Sequence, residues 1–418
     1  MSPLRRIGLA LLAVLVLVAA IIAVRTASYR SPQAANGATP ALAPAVPIDL
    51  DRAATHLAEA IRIRTVSHQS AAENEWAEWD RLHAWLETTY PAAHAAMTRE
   101  TVAEHALLYT WPGSDPASPP VVLMAHQDVV PVTPGTESDW RHPPFEGAIA
   151  EGAVWGRGSV DDKGSLVSLF EALDALARSG FHPRRTIIVV SGHDEEAGGT
   201  GAHAAAQLLQ SRGVHAQFTL DEGLVVVADF PLLKRPTALI GIAEKGYATL
   251  RVTAPAKGGH SSAPPRETGV EVLAKAVLAI TGHPFPLRFD GPAAAMVRAL
   301  APEASPMVRM AVANEWLFGP LLVRQMASTA VGASSLHTTI APTMLRGSPK
   351  ENVLPQDAAA WINYRIAPGN TTQEVLERAR AATAGLAVDL AWEGQAYDPS
   401  PVSSADSEGY RVIAALAS

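Results

Sequence analysis

The sequence predicts an α/β protein: a mostly parallel sheet flanked by helices, with an inserted α+β segment and one apolar helix in front. Three observations carry that expectation. Between 105 and 220, short β-branched runs alternate with stretches of helical spacing, as in βαβ units. From 247 to 254 (YATLRVTA) polar and apolar residues alternate, which fits an antiparallel sheet with one open face. Near the N-terminus, Ile7–Val24 is an unbroken apolar run between Arg5-Arg6 and Arg25.

That run has 18 residues, and at 1.5 Å per residue it reaches about 27 Å, enough to cross a hydrocarbon core. A cleavable signal has a shorter apolar core and a small-x-small exit; here the exit reads Val24-Arg25-Thr26-Ala27-Ser28. An uncleaved anchor over 1–28 is the expectation, with a cleaved signal and secretion as the alternative. Arg5 and Arg6 then keep the N-terminus in the cytoplasm and place the rest outside, in the periplasm or extracellular space. Residues 29–47 are rich in Pro and Ala without periodicity, as in an extended tether.

The first part of the main domain is expected at 48–246. Ala54, Leu57, Ala58 and Ile61 mark a helix from about Asp51, and Trp76, Trp79, Leu82 and Trp85 mark a second over 75–90. Strands follow at 105–111 and 121–125, and 153–160 leads into Asp161 ahead of a helix at 163–179. The run 186–191 (TIIVVS) reads as a strand covered on both faces, before a helix at 200–212 and a strand at 216–220. The inserted α+β domain is expected at 247–395. It has a helix at 268–282, an apolar-rich stretch from 288 to 332, strands at 336–345 and 357–366, a helix at 372–384 and a strand at 386–392. Residues 396–418 return to the first domain, with a helix from about Ser404.

Bulk composition narrows the function. The 418 residues are 48% hydrophobic and 18% charged, as in a globular protein of more than one domain. The net charge of -8 leaves no basic excess for nucleic acid, and without cysteine there are neither disulfides nor thiolate ligands.

Four stretches end in hard metal-ligand chemistry: His126-Gln127-Asp128, Asp161-Asp162-Lys163, Glu195-Glu196 and Asp221-Glu222. Each alone has an ordinary explanation, such as a polar loop after a buried strand or an acidic helix cap. In an open α/β sheet, however, strand carboxyl ends converge on one crevice, so four such clusters together describe a divalent-metal centre. His126 and Asp128 point to one side of an extended segment, so Asp128 can orient a metal-bound imidazole. The glycines around Asp161 permit close backbone approach, and a carboxylate there can bridge two cations. Of Glu195 and Glu196, one can bind metal while the other faces a water as general base.

The segments VLMAHQDVVPV, GRGSVDDKGS, SGHDEEAGGTG, LDEG and KGGHSSAPP resemble those of the di-zinc co-catalytic peptidases, the family of carboxypeptidase S, the aminoacylases, carnosinase and succinyl-diaminopimelate desuccinylase. The resemblance spans 50–418 and is greatest to the carboxypeptidase S branch and its animal relatives that make and cleave N-acyl amino acids. It implies a zinc-exopeptidase type fold whose inserted domain is a lid and dimerisation module. It also implies two Zn2+ per subunit, replaceable by Co2+ or Mn2+. His126 and Glu196 would hold zinc, Asp161 would bridge both ions, and Glu222 would complete the set, with Asp221 as the open alternative. Asp128 would orient His126, Glu195 would be the base, and the Asp161–Asp162 bond would be cis. In the insertion, His260 would reach the substrate oxyanion, often across a homodimer interface; Arg365 would grip a substrate carboxylate with help from Asn352.

The resulting expectation is a membrane-anchored hydrolase that cleaves the amide bond of a peptide C-terminal residue or of an N-acyl amino acid. The family takes one more histidine ligand from a segment beyond Ser418. Two expectations follow: a piece of a longer reading frame, or a metal-impaired binding protein on the same fold.

Overall fold

The structure is a computed structural model and describes residues 2–31 and 43–417. Most of the expected tether, 29–47, therefore lies outside the described residues. The chain divides into two compact units. One contains the N-terminal helix and Leu224–Tyr410; the other runs to Gly223 and resumes at Arg411. The expected insertion, 247–395, falls inside the first of these.

The N-terminal helix α1 (Pro3–Ser28) covers the whole apolar run and is long and apolar enough to cross a membrane. The unit ending at Gly223 begins with α2 (Leu50–Ile61), α3 (Ala77–Thr89) and α4 (Pro91–Ala96). Strands β1 (Thr98–Val102), β2 (Ala106–Trp111) and β3 (Val121–Met124) come next, then the short hairpin β4 (Ala148–Ala150) and β5 (Ala153–Trp155). Helix α5 (Lys163–Arg178), β6 (Ile187–Ser191), α6 (Thr200–Ser211) and β7 (Phe218–Leu220) complete it.

The sheet order is β1-β2-β6-β3-β7. Period-2 alternation puts Leu107, Tyr109 and Val189 on one face with α3, α4 and α5, and Leu108, Ile188 and Val190 on the other with α6. The strand at 187–191 is thus covered on both sides, as its sequence foretold.

Two expectations need correction. The sheet is mixed rather than mostly parallel: β3 runs parallel to β6 and β7, whereas β1–β2 and β2–β6 are antiparallel. The β1–β2 link, with Ala103 and Glu104 at φ 46° and 72°, is a tight hairpin turn, far too short for a parallel crossover. The second correction concerns 153–160. Its strand is only Ala153–Trp155, paired with Ala148–Ala150, so Asp161 follows a loop rather than a strand of the main sheet.

The other unit continues with β8 (Val226–Val227), β9 (Thr237–Ala238), β10 (Gly246–Pro255), β11 (Gly259–His260) and α7 (Gly269–Thr281). Four short helices occupy the apolar-rich stretch: α8 (Gly291–Leu300), α9 (Pro306–Ala313), α10 (Glu315–Met326) and α11 (Ala330–Ser334). Then come β12 (Thr339–Arg346), β13 (Val353–Leu354), β14 (Asp357–Ile366), α12 (Thr372–Ala382) and β15 (Asp389–Trp392); α13 (Glu408–Leu416) starts in this unit and ends in the other, which resumes at Arg411.

Its antiparallel sheet, ordered β12-β14-β10-β15, buries Ala248, Leu250, Val252, Ile362 and Tyr364 against Leu273 and Ile280 of α7 and Val375 of α12. The alternate residues of β10 stay open, which is the one-faced pattern read from YATLRVTA. Each fully buried Leu or Ile here contributes about 2 kcal/mol.

Candidate metal centre

The centre is assembled within the unit that ends at Gly223. β3 ends at Met124 and carries the buried His126, Gln127 and Asp128 just beyond it. Gln127 pins this strand end to β6: its side-chain amide nitrogen, Nε2, donates to the Ser191 carbonyl at 2.8 Å and to the His105 carbonyl at 3.1 Å. The fully buried Asp128 accepts the backbone N–H of Glu195 at 3.0 Å and of Glu196 at 3.1 Å, one on each carboxylate oxygen. One buried side chain thus fixes where both glutamates leave the backbone.

Asp161 arrives on a glycine-rich loop. Gly158 has φ +85°, and a Cβ there would lie 2.7 Å from Val129 Cγ1; at Gly156, φ +155°, it would lie 2.5 Å from Ile61 Cγ2. Neither position accepts a side chain without displacing its neighbour, so the loop needs glycine to pass. Lys163 is wholly buried and donates to the Ala60 and Ile63 carbonyls, tying the loop to α2. The Asp161–Asp162 peptide bond is cis.

The imidazole of His126 is the hub. Its Nδ1 faces the Asp128 carbonyl oxygen at 3.0 Å and Asp128 Oδ1 at 3.2 Å. Its Nε2 faces Asp161 Oδ1 at 2.9 Å and Glu222 Oε1 at 3.5 Å. Donor atoms of His126, Asp161 and Glu196 all lie within 4.8 Å of one another, and so do those of His126, Glu195 and Glu222. The two groups share the one imidazole. Asp221 Oδ1 accepts the backbone N–H of the next residue, Glu222, at 3.0 Å, and its charge acts on Asp162 and Glu195.

Electrostatics fit a cation. Both His126 nitrogens face only acceptors. Burial opposes its charge, yet the hydrogen bond and field of Asp128, with Asp162 and Glu222 adding, raise it to about 10. Burial and then the field of Asp162 raise Glu222 to about 7. Glu195 is raised by burial and by neighbouring carboxylates, with His126 opposing; Glu196 is raised by burial and then by Asp161. Crowded carboxylates around an imidazole that faces only acceptors form an all-N/O donor set suited to a hard or borderline divalent ion.

Asp162 escaped the sequence reading as a site residue. It is buried, its Oδ2 accepts the backbone N–H of His126 at 3.0 Å, and burial raises it to about 6. Two adjacent acids at one loop end were its available signal, since one can face the site while the other holds the partner strand.

The remaining expected residues belong to the other unit. His260 is exposed on β11, opposite Val353 of β13. Its Nδ1 accepts the Ser262 backbone N–H at 3.1 Å, which leaves Nε2–H as an outward donor. The carbonyl of Asn352 accepts the Ser261 N–H at 3.1 Å, so Asn352 sits beside His260. Arg365 is exposed on β14, with its guanidinium 4.7 Å from the centre of the Tyr247 ring.

Comparison with known proteins gives consistent results. Residues 122–418 match the model of peptidase family M20/M25/M40. The chain is 39% identical over 360 residues to the human N-fatty-acyl-amino acid synthase/hydrolase PM20D1, covering 85% of this chain and 71% of that protein. It is 36% identical over 343 residues to carboxypeptidase S of Saccharomyces cerevisiae, covering 77% and 59%. Among solved structures, the M20 family metallo-carboxypeptidase Sso-CP2 of Sulfolobus solfataricus shares the fold with a TM-score of 0.58, at 17% identity and 86% and 82% coverage.

Proposed function

The chain belongs to the peptidase family M20/M25/M40, and from that premise we propose that it hydrolyses the amide bond of an amino acid bearing a free carboxylate. The acylated side is either a peptide or a fatty acyl group, the chemistries named for its relatives carboxypeptidase S and N-fatty-acyl-amino acid synthase/hydrolase. A non-catalytic binding protein is not favoured, because the relatives are hydrolytic enzymes. The convergence of His126, Asp161, Glu195, Glu196 and Glu222, from four separate stretches of the chain, into two overlapping donor groups is the observation that carries this reading.

His126, Asp161, Glu196 and Glu222 would hold two Zn2+. When bound, such a pair supplies Lewis acidity to a water and to the scissile carbonyl. Asp128 holds His126 in the Nδ1–H tautomer and keeps its Nε2 lone pair towards the centre. Glu195, with its carboxyl raised by burial, takes the proton from the attacking water and returns it to the leaving nitrogen. By the family resemblance, the Nε2–H of His260 would donate to the oxyanion, and Arg365 would grip the substrate carboxylate with Asn352 assisting. The exposed edge strand β12, with Met344 and Leu345, offers a surface for pairing with a second copy.

α1 serves in this reading as a membrane anchor that leaves the catalytic unit extracytoplasmic, as its apolar length supports. The test is turnover of matched N-acyl amino acids and C-terminal dipeptides, each as free acid and as amide. Cleavage confined to the free acids supports the proposal; equal cleavage of the amides, or none of either, refutes it.

A further inference from the structure

Helix α10 is apolar on both sides: Leu322 and Met326 pack on Val297, Ala301 and Val312, while the opposite face lies open. It has no buried residue, and its exposed positions Trp316, Leu317, Pro320 and Leu321 fall at i, i+1, i+4 and i+5, one continuous helical face. Trp316 and Leu321 are each 56% exposed. A soluble helix normally turns such a face inward, and a contiguous exposed apolar patch marks a surface that meets another apolar phase.

The end of α1 lies within the same unit and fixes where that phase is. The apolar run closes at Arg25, whose Nε donates to the carbonyl of Ala313, the last residue of α9, at 2.9 Å. The next residue, Asn314, is fully buried and its amide donates to Thr26 Oγ1 at 3.2 Å and to the Ile22 carbonyl at 3.4 Å. Arg309 donates to the carbonyls of Ala27 and Tyr29, and the Tyr29 hydroxyl donates to the Arg298 carbonyl at 3.1 Å. Arg298 in turn forks onto Glu315, the first residue of α10, with both bonds at 2.7 Å. Residue 314 therefore sits level with the last turn of the apolar run, and α10, with Trp316 as its second residue, starts at that same depth.

We propose that the outward face of α10 rests in the headgroup layer of the bilayer that α1 crosses, with Trp316, Leu317 and Leu321 as interfacial anchors. This rests on the reading of α1 as membrane-spanning. Aromatic and aliphatic side chains favour the boundary between hydrocarbon and water, and Arg324, one turn beyond Leu321 on this face, can reach lipid phosphate. The contact would make α1 and the helical cluster α8–α10 one membrane-seated body rather than a domain on a loose leash.

Because the chain contains no cysteine, Leu15→Cys, Leu321→Cys and Glu377→Cys each accept a single environment-sensitive label in the full-length protein. The labelled proteins go into phosphatidylcholine vesicles with and without nitroxide-bearing lipid. Leu321 and Glu377 are both exposed, so neither change disturbs a core, and unchanged far-UV dichroism confirms this. The proposal expects quenching at 15, and quenching at 321 about threefold or more above that at 377. Quenching at 15 with 321 no different from 377 overturns the face while leaving the anchor reading intact. No quenching at 15 overturns both. A label at 321 that is shielded from lipid but self-quenches as protein density rises means that a second copy covers the face, and this also overturns the proposal.

Discussion

Replacing Asp128 by asparagine keeps its volume and removes one charge. With the amide oxygen at the Oδ1 position, the side chain still accepts from the Glu195 N–H at 3.0 Å and faces His126 Nδ1 at 3.2 Å. At the Oδ2 position an NH2 group now meets the Glu196 N–H, which had an acceptor at 3.1 Å. One buried donor loses its partner, at a cost of about 1–3 kcal/mol in folding stability. The larger effect falls on the metal. Losing the carboxylate that orients a ligating imidazole costs about 10–100-fold in affinity, or roughly 1.4–2.7 kcal/mol. Competition for zinc against a chromophoric chelator reads the affinity, and urea unfolding of the chelated protein reads the stability. A variant that binds zinc within about twofold of the parent would refute the role of Asp128 in holding His126 and the two glutamates.

Further outcomes follow from the same geometry. Glu195→Gln should lower kcat by about 10²–10⁴ while elemental analysis finds the metal content unchanged; metal lost together with activity would exchange the roles of Glu195 and Glu196. Arg365→Lys should raise KM for free-acid substrates about 10–100-fold with kcat nearly unchanged, read by steady-state kinetics on an acid series. Metal binding should release protons. The free ring of His126 stays protonated up to about 10, and the ligand form lacks that proton, so zinc affinity should rise about tenfold per pH unit from 7 towards 10. Below the Glu222 value of about 7 a second proton must also leave, and the slope steepens. An indicator dye in weak buffer measures the release, and an affinity flat from pH 7 to 9 would contradict it.

Much of this arrangement could be read from side-chain chemistry alone, because strand ends and metal ligands leave strong marks. Ile187–Ser191 announced a doubly covered strand, and His126-Gln-Asp128 announced a turn out of the sheet towards the site. β1 left no such mark: Thr98–Val102 (TRETV) is a mostly exposed edge strand, so its pairing with β2 rather than its own pattern makes it a strand. The short helices at 291–334 were hidden by their continuous apolarity. Their caps were nonetheless written in Pro292 and in Ser305-Pro306, where Ser305 Oγ accepts the Val308 N–H and each proline stands in a first turn. Asp162 was missed because the adjacent acids Asp161 and Asp162 do not show which one faces the site and which holds the His126 backbone N–H; that depends on a long-range approach between a loop and a strand.

Crystals grown with zinc and measured on either side of the zinc absorption edge offer the most direct test. The account predicts two anomalous peaks about 3.5–4 Å apart, with Asp161 between them, Glu196 on one and Glu222 on the other. A single peak, or peaks away from residues 126, 161, 196 and 222, would contradict it.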